Sequence, residues 1–198
     1  MELVLGTRNS GKISELKELC RPLGIQVCSL EHLSKAIHVE EIGVSFLENA
    51  TLKAVLQAKA LGRFVLAEDS GLVVDSLNGE PGIYSARWAG EDASDEDKVD
   101  LTLEKMKDID ECNRGAYFES DVALVSPSGE EHVFVGRVEG KIASKPIGIN
   151  RPKLPYDLIF VPEKHSRTFA QMSDEEKNSM SHRGRAFQKL KAFLIKRK

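Results

Sequence analysis

A chain of 198 residues with 41% hydrophobic content is long enough to bury the core of one domain, which we place at residues 1–198. Its 28 Lys and Arg against 31 Asp and Glu lack the basic excess that duplex binding needs, so polymeric nucleic acid is not an expected partner. Three cysteines without metal-ligand or redox spacing disfavour a disulfide framework or a zinc site. With no visible export signal and no apolar run long enough to span a bilayer, we expect a cytoplasmic location and no membrane partner.

The first half of the chain alternates predicted strands and helices. Apolar runs predict strands at residues 2–5, 25–28 and 64–67, the last of which ends abruptly at residues 68–71. Apolar residues at helical spacing predict one helix between the first two strands. Ser45 and Glu48 form a capping-box pattern for a second helix, which Gly62 ends.

The second half combines helices with a predicted hairpin. Residues 117–125 and 132–138 flank a Pro-Ser-Gly turn and predict two long antiparallel strands. A segment with three prolines over residues 143–157 predicts an ordered loop, and residues 158–161 predict another strand. Three serines are candidate N-caps of further helices: Ser94, Ser173 and Ser181. Helices and strands are therefore mixed along the chain.

Residues 6–12, Gly-Thr-Arg-Asn-Ser-Gly-Lys, lie between a predicted strand and a predicted helix, and we call them the glycine loop. Backbone N–H groups and the positive end of a helix favour phosphate at such a place. The segment nearly matches a P-loop, but Ile13 stands where that motif needs a hydroxyl for magnesium. Triphosphate binding and a purely structural glycine turn are both open interpretations of this loop.

Carboxylates cluster in two other segments. Glu68 and Asp69 follow an apolar strand, at the position where open α/β sheets present ligands, and their hard oxygens suit magnesium. Glu40 and Glu41 lie in a loop that could fold back towards them. Because clustered like charges are costly unless a cation neutralises them, a metal site is one interpretation. Ordinary surface acids at the ends of elements are the other.

His182 and Arg183 lie in the first turn of the last predicted helix, where the helix dipole disfavours cations. An anionic or electron-rich partner should compensate, and Lys177 just upstream could join them in a phosphate clamp. A solvated basic face is the alternative interpretation.

Together these motifs resemble the inosine triphosphate pyrophosphatase family, and the resemblance covers nearly the whole chain. It is carried by residues 7–12, 41–50, 53–54, 68–72, 79–87, 175–178 and 181–186. The resemblance implies an elongated α/β structure: a mixed β-sheet flanked by helices, with two lobes around a central nucleotide cleft, assembled as a homodimer. It implies hydrolysis of non-canonical purine nucleoside triphosphates (ITP, dITP and XTP) to the monophosphate and pyrophosphate, with magnesium (Mg2+) as cofactor.

The resemblance also implies roles for individual residues. Asp69 would be the general base, with Lys12 and Lys53 on the phosphates, and Glu41 and Asp69 would bind the metal. The residues implied to bind substrate are Thr7, Arg8, Asn9, Ser10, Gly11, Lys12, Ser70, Leu154, Pro155, Tyr156, Asp157, Lys177, His182 and Arg183.

The base-binding loop departs from the family pattern. Where the family reads Gly-Phe-Gly-Tyr-Asp-Pro, residues 153–158 read Lys-Leu-Pro-Tyr-Asp-Leu, in a segment lengthened from about Pro146 onwards. Leu154 cannot stack on a purine as Phe would, and Pro155 has no N–H group, so we expect altered base affinity and selectivity. Tyr156 could contact the base or close the loop.

Two other functions are compatible with parts of the sequence. A Maf-type nucleotide pyrophosphatase would prefer other bases, but the Ser-His-Arg-Gly-Arg run at residues 181–185 argues against it. A catalytically impaired nucleotide-binding protein would explain the altered loop. The retention of Lys12, Glu41, Lys53 and Asp69 argues for catalysis instead.

Overall fold

The computed structural model describes residues 2–196, which form one mixed sheet with helices on both faces. In the order β2-β1-β3-β4-β5-β6, its strands are β1 (Glu2–Leu5), β2 (Gln26–Ser29), β3 (Val65–Val74), β4 (Gly115–Val125), β5 (Glu131–Ile142) and β6 (Phe160–Pro162). Strands β1, β2 and β3 run parallel, whereas β3 to β6 pair antiparallel. The predicted α/β fold with a mixed sheet is confirmed.

The helices begin where side-chain caps predict them. They are α1 (Ser10–Cys20), α2 (Phe46–Leu61), α3 (Asp95–Lys105), α4 (Asp174–Met180) and α5 (His182–Lys196). The predicted caps are confirmed, because side-chain oxygens of Ser45, Ser94, Ser173 and Ser181 all accept backbone N–H groups in the first turns. The reciprocal half of the capping box predicted at Ser45 is wrong: Glu48 accepts from the N–H of Val44 instead.

The apolar core divides along the two long strands, β3 and β4. The half of these strands beside β1 is buried by α1 and α5 on one face and by α2 on the other. The other half is buried with α3, β6 and the loop that precedes β6. This division agrees with the predicted two lobes.

The prediction that the third strand ends at residues 68–71 is wrong. β3 continues through them to Val74, because β4 pairs with it over its full length. β1 pairs with β3 only at Val65 and Leu66, so the acidic residues 68 and 69 lie beyond the carboxyl end of this parallel neighbour. The sheet edge expected to present ligands is therefore real, although it lies in the middle of β3 rather than at its end.

The remaining predicted strands are confirmed with shifted boundaries. The hairpin extends over β4 and β5, and the predicted strand at residues 158–161 begins only at Phe160, after a short 3-10 turn over Pro155–Leu158. No helix among residues 2–196 is both long and apolar enough to cross a membrane.

Candidate active site

A cavity of about 770 Å3 opens between the two halves of the core. Its wall is formed by the glycine loop, residues 37–42, the middle of β3, residues 83–98, the 153–157 loop and the start of α5. The predicted site residues on this wall are Thr7, Arg8, Asn9, Ser10, Lys12, Glu41, Lys53, Asp69, Ser70, Leu154, Pro155, Tyr156, Asp157, His182 and Arg183. The fold thus gathers segments that lie far apart in sequence.

The glycine loop connects β1 to α1 and places the side chain of Lys12 beside β3. The side chain of Asn9 caps α1 by accepting the backbone N–H of Lys12 at 3.0 Å, and Thr7 Oγ1 accepts the N–H of Asn9 at 3.2 Å. Lys12 Nζ lies 3.6 Å from Glu68 Oε2 and 3.7 Å from Asp69 Oδ1. A helix N-terminus and an ammonium group are therefore placed beside two carboxylates.

Lys53 joins the two carboxylates that the resemblance assigns to a metal. Its Nζ lies 2.5 Å from Glu41 Oε1 and 3.4 Å from Asp69 Oδ1. Asn49, one turn earlier on α2, donates to Asp69 Oδ2 at 3.2 Å. Burial lowers the pKa of Lys53, but Asp69 and Glu41 outweigh burial and raise it overall, so the ammonium stays charged.

Glu68 faces α5 on the opposite side of the sheet. It is fully buried, its Oε1 accepts from the Ser120 hydroxyl at 2.9 Å, and Arg183 Nε lies 2.9 Å from the same oxygen. Burial disfavours the carboxylate, yet Arg183 and Lys12 together lower the pKa of Glu68 below its ordinary value. This residue is therefore an ionised carboxylate held by protein cations.

A buried ion-pair network lies behind the wall of the cavity. Lys177 is 1% exposed, and its Nζ lies 2.5 Å from both Glu15 Oε1 and Asp157 Oδ2. Arg183 donates to Glu15 Oε2 at 2.7 Å and to Ser70 Oγ at 2.9 Å. The network connects five parts of the fold, from α1 to α5. The implied contact between Lys177 and substrate stays a prediction, since two carboxylates hold this ammonium here.

His182 is buried at the bottom of the cavity. Its ring stacks on Phe118 with centroids 4.6 Å apart. Burial and then the charge of Arg183 lower the pKa of His182 well below its usual range, so the imidazole is neutral at pH 7. Its Nδ1 finds no hydrogen-bond partner among residues 2–196.

The 153–157 loop packs against the glycine loop. A Cβ placed on Gly11 would lie 2.9 Å from the Pro152 carbonyl oxygen and 3.1 Å from Leu154 Cγ, so Leu154 contacts the first turn of α1. The hydroxyl of Tyr156 donates to the Ser85 carbonyl at 2.9 Å. Tyr156 therefore closes the loop in this structure, which was one of its two predicted roles.

Asn49 and Glu15 are among the residues of the site that were not predicted from sequence. Asn49 could have been found, because it precedes Lys53 by four residues and so shares its face of α2. Glu15 gave no such signal, because it reads as an ordinary exposed acid on α1. Among residues 2–196, no group of three or more His, Cys, Asp or Glu side chains is arranged to hold a metal ion.

Fold and cavity define an α/β protein whose cleft joins a helix N-terminus, lysines and carboxylates, which suits a polyanionic ligand. The chain belongs to the Ham1 family, whose model matches residues 3–193. This finding confirms the predicted family.

Individual relatives are similar over almost their full length. A dITP/XTP pyrophosphatase of Streptomyces avermitilis is 44% identical over 190 residues, which span 95% of this chain and 94% of that relative. A dITP/XTP pyrophosphatase of Bacillus subtilis is 40% identical over 193 residues, which span 98% and 96% of the two chains. The solved structure of the Staphylococcus aureus Ham1 protein superposes with a TM-score of 0.87 at 42% identity, covering 100% of both chains.

Proposed function

We propose that this chain hydrolyses dITP, ITP and XTP to the nucleoside monophosphate and pyrophosphate, and so removes non-canonical purine nucleotides from the nucleotide pool. The observation that carries the proposal is that two lysines and two carboxylates meet in one cavity. Asp69 Oδ1 lies 3.7 Å from Lys12 Nζ and 3.4 Å from Lys53 Nζ. Lys53 also forms an ion pair with Glu41. Relatives named dITP/XTP pyrophosphatases, similar over nearly the whole chain, support the same reaction.

The proposed chemistry assigns a separate task to each of these groups. A water molecule gives its proton to the Asp69 carboxylate as its oxygen attacks the α-phosphorus. The α–β anhydride bond breaks, and pyrophosphate leaves with its charge balanced by Lys12 and Lys53. Asn49 holds the second oxygen of Asp69 at 3.2 Å, which fixes the carboxylate plane while the first oxygen reacts.

Enzymes of this family generally use a divalent metal ion, and we propose that it is magnesium here. Glu41 and Asp69 fit this ion, because both turn a carboxylate oxygen towards Lys53 at the same side of the cavity. Magnesium is usually held by one or two carboxylates together with substrate phosphates and water, so a larger carboxylate cluster is not needed. When bound, it neutralises and orients the triphosphate.

We further propose that the chain works in the cytoplasm as a homodimer. Two neighbouring valines on one face of β5 support the dimer, since Val133 is 40% exposed and Val135 36% exposed. Leu47, at the start of α2, is also 40% exposed. Light scattering measures the mass directly, and a monomer at micromolar concentration would contradict this proposal.

The function is tested by pyrophosphate release from a panel of nucleoside triphosphates, with magnesium or with a chelator. We expect magnesium-dependent release from XTP, ITP and dITP and little from ATP. Release mainly from pyrimidine nucleotides would favour the Maf-type alternative. Ligand-induced thermal stabilisation without pyrophosphate release would indicate a nucleotide-binding protein and would overturn the proposed activity.

A further inference from the structure

Lys98 is a buried cation on the cavity wall that the proposed chemistry does not use. It lies in the first half of α3 and is only 6% exposed. Its Nζ donates one hydrogen bond, to Asp95 Oδ1 at 3.3 Å, and has no other hydrogen-bond partner among residues 2–196. Because an ammonium group has three N–H donors, two of them are left for a molecule in the cavity.

Asp95 fixes this cation relative to the 153–157 loop. While Oδ1 of Asp95 receives Lys98, Oδ2 accepts the backbone N–H of Lys153 at 2.6 Å. Lys153 adopts a φ of 65°, in the left-handed region that few non-glycine residues occupy, immediately before Leu154. One carboxylate therefore positions both the buried ammonium and the start of the loop.

Lys98 lies next to the 153–157 loop, because Asp95 contacts both the Nζ of Lys98 and the backbone N–H of Lys153. Lys12 and Lys53 gather at the middle of β3, where a triphosphate would be held. The 153–157 loop, which the family resemblance assigns to the base, lines the same cavity. Lys98 is therefore placed beside the segment that is expected to contact the base, which is the part of the ligand that differs between nucleotides.

We propose that Lys98 is a specificity-determining residue that donates hydrogen bonds to carbonyl oxygens of the base, with Asp95 as its positioning residue. The inference rests on the proposed function, because it concerns the base end of the same cavity. An ammonium group only donates, so an exocyclic amino group finds no acceptor on it. Xanthine carries two carbonyl oxygens and readily loses a ring proton, so it gains more from a cation than hypoxanthine does.

The test compares Lys98→Met with Lys105→Met, a control on the same helix. Lys105 has a side chain that is 41% exposed and pairs with Glu80 away from the cavity. The measurement is kcat/KM for pyrophosphate release from XTP, ITP and ATP. For Lys98→Met we expect a fall of about tenfold or more with XTP, a smaller fall with ITP and no fall with ATP. Lys105→Met should match the wild type with all three.

Thermal unfolding establishes that the variants are folded, and Lys98→Gln replaces Lys98→Met if the latter does not fold. An unchanged XTP-to-ATP ratio in a folded Lys98 variant would overturn the inference and leave the proposed function intact. If the wild type released no pyrophosphate at all, the proposed function would fail instead. Calorimetric binding of XTP then still decides the role of Lys98: a Kd unaffected by the substitution refutes it, and a Kd raised about tenfold supports it.

Discussion

Removal of the Arg183 guanidinium should destabilise the fold much more than removal of an exposed arginine. Arg183 is 4% exposed and pairs with two carboxylates, Glu68 at 2.9 Å and Glu15 at 2.7 Å. Loss of one partner of a buried pair costs about 3–5 kcal/mol, because the remaining charge is left uncompensated in a medium of low polarity. For a chain of this length, each kcal/mol lowers Tm by about 2–4 °C, so we expect Arg183→Met to melt roughly 6–20 °C below the wild type.

The effect should depend on pH with a defined sign. In the wild type, burial is outweighed by Arg183 and Lys12, so the pKa of Glu68 lies below its unfolded value. Such a carboxylate stabilises the fold above the unfolded pKa, and this contribution is lost as pH falls through the folded pKa. Without Arg183, burial dominates and the pKa of Glu68 should rise above the unfolded value. Arg183→Met should therefore recover stability as pH falls from about 8 to about 5.

Urea unfolding of four proteins at pH 8 and pH 5 tests this reasoning: the wild type, Arg183→Met, Arg183→Met with Glu68→Gln, and Arg185→Met. Arg185 is exposed, and within residues 2–196 its side chain donates only to backbone carbonyls of Met180 and Arg137, so its removal should cost less than about 1 kcal/mol. Glu68→Gln removes the uncompensated charge and should restore at least half of the lost free energy at pH 8. If it restored none, the buried charge would not be the cause.

Two further substitutions address the site, and a third addresses a buried carboxyl group on β4. Asp69→Asn should lower kcat about a hundredfold or more while nucleotide-induced thermal stabilisation persists, and wild-type turnover would refute the assigned base. Gly11→Ala should raise KM for XTP more than it lowers kcat, because its Cβ would meet the Pro152 carbonyl oxygen at 2.9 Å and displace the neighbouring loop. Burial, then the charges of Glu119 and Asp69, raise the pKa of Asp121 to about 6, so this carboxyl destabilises the fold as pH rises from about 4 to 6. Urea unfolding should find Asp121→Asn up to about 3 kcal/mol more stable than the wild type at pH 8, with no advantage below about pH 4.

Local sequence signals predicted the elements whose boundaries are set by local chemistry. Ser94 begins α3 because its hydroxyl and Asp97 exchange hydrogen bonds within four residues, and Gly62 ends α2 in the left-handed conformation. The hairpin was equally predictable, since alternating apolar residues flank a turn. Such features need no knowledge of the remainder of the fold.

The error at β3 arose because its stability comes from a distant partner. Residues 68–70 are polar, and by local propensity they should end a strand. They continue it because the backbone of β4, about fifty positions later in the chain, pairs with them, and the Ser120 hydroxyl donates to Glu68 at 2.9 Å. The burial of Lys177 was unpredictable for the same reason, because its partner Glu15 lies 162 residues away.

The pleat of β3 explains how two adjacent acids acquire different tasks. Successive side chains of a strand point to opposite faces, so Glu68 meets α5 and Asp69 meets α2. Glu68 is held by Arg183 in a fully buried pair, which joins the last helix to the sheet and leaves this carboxylate unavailable for chemistry. Asp69 shares lysines that line the open cavity and would themselves bind phosphates. A triphosphate that draws Lys12 and Lys53 to itself would therefore free Asp69, and not Glu68, at the moment a base is needed.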